Sequence, residues 1–206
     1  MRTRAFSLTA LSYVVAFAAA AITVAVLSSE SPLVRAFWAD VVATCVVFGF
    51  SFKFNNSSFY DAYWSVAPVP IAIYWMLLPE AAAADGLRQL VVATLVTAWA
   101  LRLTYNWARG WTGLDHEDWR YVDQRENTGS LYWGVSFVGL HMMPTLLVFA
   151  GCTALWPALA ITLLFRFVSL KLIDDRMLAR RPGYRARIET VPALLPRLRR
   201  GETTNA

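Results

Sequence analysis

Apolar residues run in long blocks along this chain, and the polar residues collect between them. Blocks close to the roughly 20 residues that carry a helix across about 30 Å of hydrocarbon lie near Ala5–Leu27, Val34–Phe54, Trp64–Leu78, Leu87–Trp107, Leu131–Ala150 and Thr153–Ile173. The pattern predicts an all-α fold: a polytopic membrane bundle of six helices, or seven if Gly139 and Pro144 divide the fifth block, followed by a cytoplasmic C-terminal segment. Arg2 and Arg4 ahead of the first block resemble the start of a secretion signal, but that apolar run is too long and further spans follow, so it reads as a retained helix. No internal repeat or flexible linker interrupts the pattern, and one domain covering residues 1–206 is the simplest organisation.

With six spans, Arg2, Arg4, Lys53, Arg109, Arg120, Arg125 and the basic C-terminus fall on one side, leaving Arg35 and Arg88 opposite. The positive-inside rule then puts both termini in the cytoplasm. Composition agrees with a membrane solvent: 57% of the 206 residues are hydrophobic, 16% are charged, and the mean hydropathy is +0.44, more than one soluble core could bury. The net charge of +5 follows from topology and from attraction to anionic headgroups, and no nucleic-acid motif accompanies it. Cys45 and Cys152 lie in or beside apolar blocks with no spacing for metal or redox chemistry.

Four polar features stand out. The segment KFNNSSFYDAYWSVAP crowds Asn55, Asn56, Ser57, Ser58, Tyr60, Asp61, Tyr63 and Trp64 ahead of the third block. It reads either as an interfacial turn with an aromatic belt or as a ligand-facing segment, with Asp61 as helix-dipole partner or hydrogen-bond acceptor. On the fourth block, Arg102, Tyr105, Asn106 and Arg109 share a helical stripe. Arg109 can anchor topology, whereas Arg102 lies deeper and either snorkels, pairs, or meets an anion. The loop that follows carries Asp115, His116, Glu117, Asp118, Arg120, Tyr121, Asp123, Arg125 and Glu126. A metal site is not favoured there, because no second histidine lies at ligand spacing and His141 belongs to another span. Finally, Arg166 is the deepest charge, in the sixth block, and needs a carboxylate or phosphate partner; Asp174, Asp175, Arg176, Arg180, Arg181 and Tyr184 follow it. A basic amphipathic tail on anionic lipid is the alternative for that last stretch.

Three blocks, NNSSFYDAYWSVAP, RLTYNWARGWTGLDHEDWRY and FRFVSLKLIDDRMLARRPGYRARIETVPALLP, resemble in content and order the steroid 5-alpha-reductase superfamily, in its bacterial branch of short membrane proteins. The last block is similar in layout to the C-terminal part of sterol reductases. The resemblance implies an integral protein of the bacterial inner membrane that holds NADPH in a polar cavity open to the cytoplasm. It also implies reduction of a carbon-carbon double bond conjugated to a carbonyl, in an enone or steroid-like substrate arriving from the bilayer. On that reading Asn106, Arg109, Asp118, Arg120, Tyr121, Arg166, Asp174, Asp175, Arg181 and Tyr184 contact the cofactor. Asn56, Asp61 and Trp64 contact the substrate, and Tyr60, Tyr63 or Tyr105 protonates or stabilises the enolate oxygen. There is no Gly-rich dinucleotide fingerprint, which excludes only a Rossmann-type site. The chain departs from the steroid enzymes in two places: their N-terminal acid and tyrosine pair has no evident match, and Ile188 stands where a second C-terminal tyrosine is expected.

Two other classes share the pattern. Membrane methyltransferases of the isoprenylcysteine type bind S-adenosylmethionine near a similar C-terminal region, but with a Glu-rich, histidine-containing stretch, whereas no histidine follows His141 here. A non-catalytic helical protein that binds lipid or a partner is the third. A transporter is disfavoured by the lack of an inverted repeat.

Overall fold

The computed structural model describes residues 2–79, 81, 85–153, 173 and 176–178. The chain divides into two compact units, Met1–Thr153 and Ala154–Ala206. Ile173 and Arg176–Leu178 are helical residues of the second; everything below concerns the first.

The described residues are helical throughout their regular elements. Helices α1 (Arg2–Val26) and α2 (Pro32–Lys53) form the most intimate pair. Small residues are buried at helical spacing on both, Ala5, Thr9, Ser12 and Ala16 on α1 and Ala36, Ala39 and Ala43 on α2; Ala16 shares a core cluster with Ala43, whereas Ala36 packs with Ile71 and Phe149. Between spans in lipid, where apolar surface alone gives no drive, such small side chains let backbones approach and gain dispersion contacts. Ser31 caps α2 by accepting from the Val34 amide at 3.4 Å, Pro32 occupies the first helical turn, and Arg35 Nε donates to the Val24 carbonyl at 3.1 Å across the hairpin.

The third apolar block, expected as one span over Trp64–Leu78, is instead two short helices, α3 (Tyr63–Val66) and α4 (Pro68–Met76). Pro68 and Pro70 lack the amide hydrogens that would continue α3, so the chain restarts at Ala67. Helix α5 (Gly86–Gly110) is capped by Asp85, whose carboxylate accepts from the Leu87 amide at 2.9 Å. The last described run, Trp119–Thr153, is 35 residues of continuous helix comprising α6 (Trp119–Thr128), a 3-10 turn (Gly129–Leu131), α7 (Tyr132–Val135), a π turn (Ser136–Met142) and α8 (Met143–Thr153). Pro144 does not break this span: having no amide to donate, it is accommodated by the wide turn before it, in which the Met143 amide reaches back to Val138.

Four helical runs are long and apolar enough to cross a membrane: Arg2–Val26, Pro32–Lys53, Gly86–Gly110 and Trp119–Thr153. They coincide with the first, second, fourth and fifth expected spans; the sixth, apart from its end residues Thr153 and Ile173, lies outside the described residues. The start of α1, the end of α5 and the loop between α5 and α6 meet at one end of the unit. There Arg2 Nη2 donates to the Ala108 carbonyl at 2.7 Å and Phe6 packs edge-on against Trp107 and Trp111.

Candidate functional site

The connection Phe54–Ala62 between α2 and α3 is held down by a staple that its asparagines build. Asn55 takes a left-handed conformation (φ 52°), a backbone region that asparagine tolerates, and turns the chain off the end of α2. Asn56 is buried with every side-chain polar group used: Oδ1 accepts from the Ser58 amide at 2.8 Å, and Nδ2 donates to the carbonyls of Leu114 and His116 at 2.9 and 3.1 Å. Glu117 accepts from the Ser57 amide at 2.6 Å and from Arg125 Nη2 at 3.2 and 3.3 Å. Arg125 also donates to Asn55 Oδ1 at 2.8 Å and stacks on the Tyr132 ring, 3.9 Å from its centroid. The charged loop thus locks the Asn-Ser segment in place.

Beside this staple, Tyr121 donates a short hydrogen bond to Asp61, and Arg120 lies 4.0 Å from the same carboxylate while its Nε bonds Asp118 at 2.7 Å. Asp118 additionally accepts from the Arg120 amide at 2.9 Å, capping α6. Burial drives the Asp61 carboxyl up to about 6, against the pull of the Tyr121 hydrogen bond. Asp61, Asp118, Arg120 and Tyr121, expected to contact substrate or cofactor, therefore satisfy one another first.

From there a polar column runs inward, between α2 and the Trp119–Thr153 helix. Ser57 Oγ meets Tyr132 Oη at 2.7 Å and Ser136 Oγ at 3.2 Å. His141 is fully buried: its Nδ1 donates to the Ser136 carbonyl at 3.0 Å, which leaves Nε2 to accept from Ser51 Oγ at 3.1 Å. Thr145 Oγ1 donates to the His141 carbonyl at 2.9 Å and lies 2.7 Å from Tyr60 Oη and 2.9 Å from Thr44 Oγ1. On α2, Ser51, Thr44 and Asp40 lie on one buried stripe, at spacings of seven and four.

Asp40 is the functional candidate that the reading of the sequence missed. Its side chain is buried, 6% exposed, and makes no hydrogen bond or ion pair among the described residues. It lies within electrostatic reach of Tyr60 and Tyr63. Tyr63, 1% exposed, keeps its hydroxyl beside Thr44 with no well-formed hydrogen bond among the described residues. A buried hydroxyl left without a partner is costly unless another group, such as a ligand carbonyl or a water, completes it. The signal was available, since a carboxylate at the seventh position of the Val34–Phe54 apolar block is itself a marker of function.

Other expected site residues are not brought to this core. Tyr105 is 63% exposed, and Asn106 and Arg109 share its exposed face of α5 together with Arg102. Arg109 lies 5.8 Å from the Tyr105 ring centroid, and neither Arg102 nor Arg109 has an ion pair among the described residues. Trp64 packs edge-on against Trp99, 5.7 Å between ring centroids. Arg166, Asp174, Asp175, Arg181 and Tyr184 lie outside the described residues, and these include no cluster of metal-ligating side chains.

Comparison with known proteins adds one result. Residues 47–163, more than half of the chain, match a family described as "Protein of unknown function (DUF1295)", itself part of the steroid 5-alpha-reductase-like superfamily. The match spans Tyr60, Tyr63, His141 and Thr145 but not Asp40. No curated protein and no solved structure matches significantly.

Proposed function

We propose, on the premise that the chain belongs to the DUF1295 family, that it is a membrane reductase of a conjugated carbon-carbon double bond in a lipophilic enone or steroid-like substrate, with NADPH as reductant. The family suggests a reductase-like or methyltransferase-like membrane protein. The observation that supports the finer reading is the buried Tyr63 hydroxyl, without a hydrogen bond among the described residues and within electrostatic reach of the buried Asp40. An α,β-unsaturated carbonyl becomes electrophilic at its β carbon when a donor polarises the oxygen, and the enolate formed after hydride addition needs that donor's proton.

The hydroxyl inventory separates the two tyrosines. Thr145 has one proton, and the His141 carbonyl takes it; Tyr60 then donates to Thr145 Oγ1 and its own proton is engaged. Tyr63 has no such commitment among the described residues and is the donor to the substrate oxygen, while Asp40 acts on it through its charge, within electrostatic reach of both phenols. NADPH, when bound, supplies the hydride. Arg102 and Arg109, cationic and without ion pairs among the described residues, suit its phosphates, with Asn106 and Tyr105 on the same face.

The test is NADPH oxidation by purified protein in nanodiscs across a panel of lipophilic enones, with S-adenosylmethionine titrated in parallel. Turnover that falls at least 100-fold in Tyr63→Phe and Asp40→Asn, but less in Tyr60→Phe, is expected at the scale of about 10²–10⁴ for a lost general acid. An unaltered thermal midpoint with NADPH, together with a shift by S-adenosylmethionine, would replace the reductase reading with the methyltransferase one.

A further inference from the structure

At the end of the unit away from the Arg2–Ala108 contact, a cavity of about 490 Å³ opens between α4, α5 and α8. Its wall is apolar, built by Ala72, Trp75, Val92, Val96 and Cys152. The volume falls within the usual range for small-molecule sites, roughly 300–1,000 Å³. Two groups on its lining are donors left over from the fold. The Trp75 indole nitrogen is buried without a hydrogen bond among the described residues, and Arg88 stands exposed with no ion pair among them. Of the neighbouring polar groups, Asp85 caps α5 through Oδ1, and Gln89 Nε2 donates to the Ala81 carbonyl at 2.7 Å. An occupant completing this site must therefore offer a hydrocarbon body and a head that only accepts hydrogen bonds.

We infer that this cavity binds a long-chain carboxylate, its chain along α4 and α5 and its head at Arg88. One chain fits better than two, since about 490 Å³ lies in the lower half of the range for small-molecule sites. The charge decides the head: a guanidinium near a helix end at the membrane surface pairs with a carboxylate through two parallel hydrogen bonds, whereas an alcohol of equal length gains only chain burial. The inference is independent of the reductase reading, because it concerns binding alone.

Cys152 on the cavity wall is a built-in reporter, and Cys45 is the other free thiol among the described residues. The experiment measures maleimide labelling of Cys152 in a Cys45→Ala variant, in nanodiscs of zwitterionic lipid, with oleate or oleyl alcohol added. Oleate is expected to slow labelling at least fivefold and oleyl alcohol less than twofold, with Arg88→Gln bringing oleate down to the alcohol's effect. Equal protection by both would mean that bulk hydrocarbon merely fills the space, and protection by anionic phospholipid in place of oleate would mean a lipid headgroup site; either overturns the proposal. Should Cys152 prove unreactive, quenching of tryptophan fluorescence by brominated oleate decides instead, and a quenched fraction that Trp75→Phe leaves unchanged overturns the proposal as well.

Discussion

Thr145→Val isolates the hub of the polar column. Valine keeps the shape of threonine and removes Oγ1, which bonds the Tyr60 hydroxyl at 2.7 Å, the Thr44 hydroxyl at 2.9 Å and the His141 carbonyl at 2.9 Å. Thr145 is buried, so water cannot replace these partners. Hydrogen bonds between elements of a membrane protein are worth about 0.6 kcal/mol on average and about 1.7 at most, so losing the Tyr60 and Thr44 bonds costs about 1–3 kcal/mol. Thr145→Ser keeps the bonds and loses one buried methyl, about 0.8 kcal/mol. Because those ranges approach each other, the decisive measurement is a double-mutant cycle with Tyr60→Phe, read as unfolding free energy in mixed micelles. Tyr60→Phe should destabilise the wild type and the Thr145→Ser variant alike, and lose about 0.6–1.7 kcal/mol of that effect in Thr145→Val. If Tyr60→Phe costs the same in all three backgrounds, Thr145 does not hold Tyr60, and the assignment of Tyr63 as the free donor loses its basis.

Asp61 has a pH signature. Its folded carboxyl titrates at about 6, above the unfolded value near 3.9, so between those values the folded state keeps a proton that the unfolded chain has released. Stability from this group is thus full below pH ~4 and declines as pH rises to ~6, by at most about 3 kcal/mol; the quantity to measure is wild type minus Asp61→Asn, and a flat difference across that window refutes it. Arg125→Lys should destabilise by about 1–3 kcal/mol, because an ammonium cannot hold Glu117 and Asn55 and stack on Tyr132 together, and a neutral result in a detergent melt would show the staple to be dispensable. Gly113→Ala places a side chain at φ +135°, where it also meets Ala5 Cβ at 3.7 Å; a loss of about 1–3 kcal/mol is expected, and an unshifted melting midpoint counts against strain there.

The hydrophobic blocks alone located the four membrane-length helices among the described residues, because each such apolar run must satisfy its own backbone as a helix, and α1, α2 and α5 begin and end within a few residues of the expected limits. The break at Ala67 was also written locally, in Pro68 and Pro70, yet apolar length alone hid it. Sequence pattern likewise flagged Asn56, Asp61 and the charged loop as a polar concentration. What it could not say is which of those groups spend their hydrogen bonds on each other. That is a matter of partners some 60 residues away, such as Ser57 with Glu117 and Asp61 with Tyr121. Only the packing of α2, the Phe54–Ala62 connection and α3 against the Trp119–Thr153 helix decided that Tyr60 is held by Thr145, that Tyr63 is not, and that Asp40 lies within electrostatic reach of both; such side-chain register is set by contacts that no local periodicity encodes.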